Sequence, residues 1–279
     1  MKNILIATDF SEGSKNAIEH ARKIAKQLKA KLIYLHAHYP IVPTNYLDPN
    51  GIYLSTPETD IQGTLKDLKK ALSHFQEEDK KDGISSEIRV ELGDLSSCIQ
   101  TIEEQEKLDL VIISKTSQTN FLDKLIGSTA KGLLHDLHVP LLIIPSNFHA
   151  DIFEKVLYAT QLEFDEIPYI KSALKWSEKG KNKLTIAHLD EEFETDLIPN
   201  HQFLEEIKEA LKKEEVYYKN ADTKSFKPGI IRLIKDENAS LICLTTHKRN
   251  LLTQIVSPSK TRDAIDYLPI PVLVFNAPN

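Results

Sequence analysis

The chain repeats itself, and this constrains its fold more than any other feature. Ile4-Leu5-Ile6-Ala7-Thr8-Asp9 matches Val156-Leu157-Tyr158-Ala159-Thr160-Gln161, and Lys31-Leu32-Ile33-Tyr34-Leu35-His36 matches Lys183-Leu184-Thr185-Ile186-Ala187-His188, both at an offset of 152. Further on, Asp109–Ile113 matches Ser240–Leu244, and Val139–Ile144 matches Ile270–Phe275, both at an offset of 131. The two offsets differ by 21 residues, so the first copy carries that much extra chain between its second and fourth strands. The stretch Tyr39–Gln62 accounts for it: rich in proline and tyrosine and without helical or alternating period, it reads as a long loop. A chain of 279 residues has room for two such units, each large enough to bury its own core. The expected division is an N-terminal domain over 1–147, carrying the loop at 39–62, and a C-terminal domain over 148–279.

Within each copy, short apolar β-branched runs alternate with amphipathic helical patterns. Ala17, Ile18, Ala21, Ile24, Ala25 and Leu28 form one stripe, and Leu95, Cys98, Ile99 and Ile102 another. Strands that are apolar on both faces, separated by helices, predict an α/β fold: two repeated open parallel sheets flanked by helices and built from right-handed crossovers. In such sheets a ligand binds outside the carboxyl ends of the strands, at the point where strand order reverses. That places a candidate site at Asp9 and at the segment Ser114–Thr129.

Composition removes several function classes. The formal net charge is −6 and no dense Lys/Arg block occurs, which disfavours nucleic acid and anionic membranes as partners. The two cysteines, Cys98 and Cys243, sit in apolar patterns, as buried free thiols of a reducing compartment do, and a cytoplasmic location is expected. Met1–Ile6 enters a strand directly, so no leader segment is expected, and no apolar run reaches membrane-spanning length. There is no Gly-x-Ser-x-Gly elbow, Gly-x4-Gly-Lys-Ser/Thr loop, His-Glu-x-x-His helix or Cys-x-x-Cys pair, so no catalytic residue is assigned.

Five features together resemble the universal stress protein family in its tandem form. They are Ala7-Thr8-Asp9-Phe10-Ser11-Glu12 after the first strand, Leu35-His36-Ala37 ending the second, Gly93-Asp94 after the third, the turn from Ser114 to Gly127-Ser128-Thr129, and Val139-Pro140 opening the fifth. The resemblance implies five-stranded sheets of the adenine-nucleotide-hydrolase-like type with strand order 3-2-1-4-5. It also implies a stress-response role, and pairing of domains through their fifth strands, here Leu141–Ile144 with Val272–Phe275 inside one chain, with a homodimer also open.

The family's nucleotide-binding branch carries Gly-x2-Gly-x9-Gly-Ser/Thr after the fourth strand and an aspartate after the first. On this chain the resemblance assigns the aspartate to Asp9, the three glycine positions to Ser114, Ser117 and Gly127, and the hydroxyls to Ser128 and Thr129, with a backbone contact at Ala37. The implied ligand is ATP or another adenine nucleotide, with Mg. Serine at two glycine positions hinders close backbone approach, while a helix opening Gly-Ser-Thr still offers N–H groups and hydroxyls to an anion. In the second copy Gln161, Thr245, Lys248 and Pro258 stand at the aspartate and glycine positions, followed by Ser259, and a nucleotide is not expected there.

Other residues have plainer readings. Asp9 or Ser11 is a candidate cap for a helix starting near Ser14. His36 and His38 share a strand face, and His188 and Asp190 repeat the spacing; without a third ligand they read as solvated strand ends, and no metal site is assigned. His135 and His138 read as partners of a helix C-terminus, and Trp176 as a packing residue. Three functions remain open: a nucleotide-responsive or partner-binding module, an interaction scaffold that binds no nucleotide and uses loop 39–62, and a slow ATPase.

Overall fold

The computed structural model describes residues 2–39, 45–47, 53–55, 61–115, 133–134, 137–160, 162, 166–180, 182–191, 200–223, 225–247 and 268–277. The first copy opens with β1 (Lys2–Ala7), α1 (Glu12–Leu28) and β2 (Ala30–His38), followed by short strands β3 (Asn45–Leu47) and β4 (Tyr53–Ser55). It continues with α2 (Ile61–Lys81), β5 (Ser86–Leu92), α3 (Leu95–Gln105), β6 (Leu110–Lys115) and β7 (Leu141–Pro145). The second copy follows as β8 (Val156–Thr160), α4 (Ile167–Ser177), β9 (Leu184–Glu191), α5 (Asn200–Ala210), β10 (Val216–Thr223), α6 (Phe226–Asp236), β11 (Leu241–His247) and β12 (Val272–Ala277).

Each copy forms a parallel sheet. The order is β5-β2-β1-β6-β7 in the first and β10-β9-β8-β11-β12 in the second, so both read 3-2-1-4-5. β1 and β8 each sit between a strand that follows in sequence and one that arrives by a long crossover, which sets the switch point at their carboxyl ends. The strands at the centre, Leu141–Ile144 and Val156–Tyr158 among them, are almost wholly buried, as expected where helices cover both faces.

The two sheets merge into one of ten strands through β7 and β12, which run antiparallel with Val272 opposite Ile143, Leu273 opposite Leu142 and Val274 opposite Leu141. Pairing removes two apolar edges that would otherwise present unpaired backbone. Asn276 pins the joint: its Nδ2 donates to the carbonyls of Leu137 and Val139, both at 3.1 Å.

The reading of 39–62 as a loop without regular structure needs correction. β3 and β4 form an antiparallel pair, with Tyr46 opposite Leu54, and α2 already begins at Ile61. The signal was present in the sequence: Asp48-Pro49-Asn50-Gly51 is turn chemistry between two short runs containing tyrosine and leucine.

α2 is held against α1 by a buried charge cluster. Arg22 Nε donates to Asp79 Oδ1 at 2.8 Å, its NH1 lies 2.7 Å from Glu78 Oε2, and its NH2 donates to the Phe75 carbonyl at 2.9 Å. Asp79 is wholly buried, and Arg22 lies over the Phe75 ring at 5.9 Å.

Candidate functional site

β1 pairs Ile6 with Tyr34 of β2 and with Ile112 of β6. Two residues on, the chain therefore leaves the sheet between the ends of β2, at His36 and Ala37, and of β6, at Ser114. The turn that follows is tightly built. Thr8 N–H donates to the Leu35 carbonyl at 2.9 Å, Phe10 takes φ +63°, and Phe10 N–H donates to Thr8 Oγ1 at 3.1 Å. Thr8 Oγ1–H donates to Ser14 Oγ at 3.0 Å, and Ser14 Oγ–H donates to the Ser11 carbonyl at 2.9 Å.

The helix starts two residues earlier than Ser14, and Ser11 is its cap: Ser11 Oγ accepts from Ser14 N–H at 3.2 Å. Asp9 does not cap the helix itself. Its Oδ1 accepts from both Ser11 N–H, at 3.0 Å, and Ser11 Oγ–H, at 2.6 Å, and its side chain is exposed. Partial burial pulls the Asp9 carboxyl upward, but the hydrogen bonds from Ser11 outweigh it and hold the group below the usual carboxylate range. An ionised carboxylate thus stands at the switch point with one oxygen committed to the turn.

His36 is not a solvated strand end. Its ring is half-buried, and Nδ1–H donates to the Thr8 carbonyl at 2.8 Å; because a carbonyl only accepts, this nitrogen carries the proton. Phe10 packs on the His36 ring at 4.9 Å, and His38 follows at 6.3 Å. Ala37, on the opposite face of β2, packs against the second core layer. Ser114 is half-buried and level with Ile144 of β7. Ser117, Gly127, Ser128 and Thr129 lie outside the described residues, as do His135, Gln161, Lys248, Pro258 and Ser259. After β5, Gly93 takes φ +133° and Asp94 caps α3, accepting from Ser97 N–H at 3.0 Å.

The offset of 152 separates what the turn needs from what a ligand could use. Thr160 repeats Thr8, Leu162 repeats Phe10 with φ +58°, and His188 Nδ1–H donates to the Thr160 carbonyl at 3.2 Å as His36 does to Thr8. These shared features are scaffold. The differences lie beneath the turn, and sequence reasoning missed them. Glu166 stands where the first copy has Ser14, and Tyr158 where it has Ile6. Thr160 Oγ1 donates to Glu166 Oε2 at 2.6 Å and Tyr158 Oη to Glu166 Oε1 at 3.3 Å, while Tyr158 Oη and Thr245 Oγ1 are 2.5 Å apart. Glu166 and Thr245 are wholly buried. Burial, reinforced by the Glu166 charge, pushes the Tyr158 phenol well above its ordinary range. Thr245, the counterpart of Ser114, is therefore sealed inside a polar cluster of the protein's own side chains.

His138 faces Glu103 of α3, with Nδ1 3.7 Å from Oε2. Trp176 is a packing residue as read, its ring 5.4 Å from that of Phe153. Cys98 and Cys243 are both buried free thiols. Among the described residues no group of three or more His, Cys, Asp or Glu is placed to hold a metal, and no helix is long and apolar enough to cross a membrane.

An open α/β sheet with its turn cluster at the β1–β6 switch point defines an adenine-nucleotide-hydrolase-like fold. The universal stress protein family model matches residues 1–145 and 170–276, and the chain belongs to that family in tandem form. Among relatives, a universal stress protein of Methanocaldococcus jannaschii is 27% identical over 146 residues, covering 51% of this chain and 81% of its own. Universal stress protein A of Escherichia coli K12 is 31% identical over 150 residues, covering 52% of this chain and 94% of its own. A universal stress protein from Archaeoglobus fulgidus superposes across both copies, with a TM-score of 0.72 at 22% identity, over 98% of this chain and 96% of that one.

Proposed function

We propose that this is a cytoplasmic stress-response protein that acts as a nucleotide-responsive or partner-binding module, with at most one, weakened, adenine-nucleotide site, in the N-terminal unit, residues 1–147. The C-terminal unit, 148–279, serves as its fixed partner. The observation that carries the reading is the asymmetry of the two switch points: Asp9 is exposed and ionised beside a half-buried Ser114, whereas Thr245 is sealed by Tyr158. Asp9 and Ala37 would line the base and ribose side, and Ser114, Ser117, Gly127, Ser128 and Thr129 the phosphate side, where the sequence reads as a helix opening Gly-Ser-Thr that would favour anions. Binding would act by changing association or local order, with no catalytic residue assigned.

Isothermal titration of the whole chain with ATP and Mg tests this. One site per chain is expected, lost in Asp9→Ala and kept in Gln161→Ala. Two sites per chain, or equal losses in both variants, would overturn the asymmetric assignment. Absence of heat at millimolar ATP would favour the interaction scaffold, for which the β3–β4 pair supplies a built element. Phosphate release that disappears with Asp9→Ala would instead identify a slow ATPase.

A further inference from the structure

The strap that leaves β7 and enters β8 is fastened to both copies. On the C-terminal side, Lys155 N–H donates to Ser240 Oγ at 2.8 Å, Ser240 Oγ–H reaches the Ile152 carbonyl at 3.3 Å, and Phe153 stacks on Trp176. Gly180 lies so close that a Cβ there would fall 1.7 Å from the Phe153 carbonyl oxygen, so this end leaves no room to shift. On the N-terminal side the fastening is made by one face of α1. Asn16 Nδ2 donates to the carbonyls of Pro145, at 3.3 Å, and Phe148, at 2.9 Å. One turn further on, His20 Nε2–H donates to the same Phe148 carbonyl at 3.0 Å, with the two rings 5.5 Å apart.

His20 is 2% exposed, and its Nδ1 is buried with no hydrogen-bond partner among the described residues. Because Phe148 offers a carbonyl, Nε2 must hold the proton of the neutral ring and Nδ1 the bare lone pair. A proton taken up from solvent would land on Nδ1, where it meets no acceptor and places a full charge in a desolvated site. The neighbouring ionisable groups are Lys23 on α1 and His149 and Asp151 on the strap: the two bases oppose that charge and Asp151 favours it.

We propose that His20 is a pH-sensitive latch that fastens the inter-copy strap to α1 when neutral and releases it when protonated. Burial lowers the His20 ring below its ordinary value and outweighs the hydrogen bond it donates to the Phe148 carbonyl, which acts in the other direction. The sign follows from this: the fastened state is fully favoured above the free-imidazole value of about 6.5 and loses support as pH falls below it. The strap runs along α1, so release frees it from that helix without requiring ligand or unfolding of either sheet, while the β7–β12 pairing still joins the copies.

Hydrogen exchange of the full chain, corrected for the chemical exchange rate, tests the latch. Between about pH 7.5 and about pH 5, protection of the Phe148 amide, which donates to the Pro145 carbonyl, should fall by about tenfold, while β1 and β6 amides keep theirs. In His20→Gln, whose amide can still donate to Phe148 without titrating, the strap should show no such fall. An equal fall in the variant, or none in the native chain, would overturn the proposal. Should His20→Gln fail to fold, imidazole nitrogen shifts of the native protein decide the matter. A His20 midpoint below about 6.5, coincident with changes at the Phe148 and His149 amides, supports the latch, and a midpoint at or above that value rejects it.

Discussion

Tyr158 and Thr245 meet hydroxyl to hydroxyl at 2.5 Å in the C-terminal copy, at the level where the N-terminal copy sets Ile6 beside β6. That contact seals Thr245 at the second switch point, where its counterpart Ser114 at the first is half-buried. Tyr158→Phe removes the hydroxyl and leaves Glu166 and Thr245 each short of a partner in a buried site. A loss of about 1–3 kcal/mol in urea unfolding is expected, with ATP titration of the N-terminal copy unchanged.

The Arg22–Asp79 pair predicts a larger effect in the first copy. Asp79→Ala removes the buried carboxylate and leaves the guanidinium, itself only 15% exposed, with the more exposed Glu78 and the Phe75 carbonyl. Chemical denaturation should show a cost of about 3–5 kcal/mol, because breaking a buried pair leaves a desolvated charge only partly compensated. A change below about 1 kcal/mol would mean that Arg22 swings out to water.

Ser11 joins the helix cap to the candidate ligand residue. Ser11→Ala should cost about 0.5–2 kcal/mol through the lost cap. It also removes one of the donors that hold the Asp9 carboxyl down, so the Asp9 midpoint should move upward in a carboxyl carbon titration. In the native chain this group's contribution is present above the ordinary value of about 3.9 and is lost as pH falls through the depressed one. An unmoved midpoint would show that the backbone N–H of Ser11 alone sets it.

Separating the copies should expose β7. Residues 1–147 expressed alone would carry Leu141–Ile144 as an unpaired apolar edge, and light scattering should report a dimer. The intact chain pairs that edge with β12 and should not associate through it. A monomeric fragment would show that β7 needs no partner strand.

Much of the architecture was legible because burial on two faces writes itself into short β-branched runs, and because the chain presents those runs twice. The stripes of α1 and α3 appeared where the apolar periods placed them. The β3–β4 pair was missed because three-residue strands carry too few alternations to stand out from a loop. Of the site, Asp9 was legible as a candidate from its position after the first strand, whereas its bond to Ser11, and Ser11 as the cap, depend on backbone angles that the sequence, with Thr8 and Ser14 also near the turn, does not write out. His36 was misread since nothing local says that its ring nitrogen finds a carbonyl 28 residues away.

By itself the sequence determined the repeat, the parallel order of alternating strands and helices, and the end of the sheet where a ligand would lie, all of which follow from local periodicity and composition. Tertiary structure alone decided which polar groups are sealed and which remain open. Tyr158 and Thr245 are 87 residues apart, and Glu166 reads in the sequence as one more surface carboxylate. Only when β8, β11 and the start of α4 converge does the desolvation of that carboxylate require the hydroxyls around it, and so close the second site.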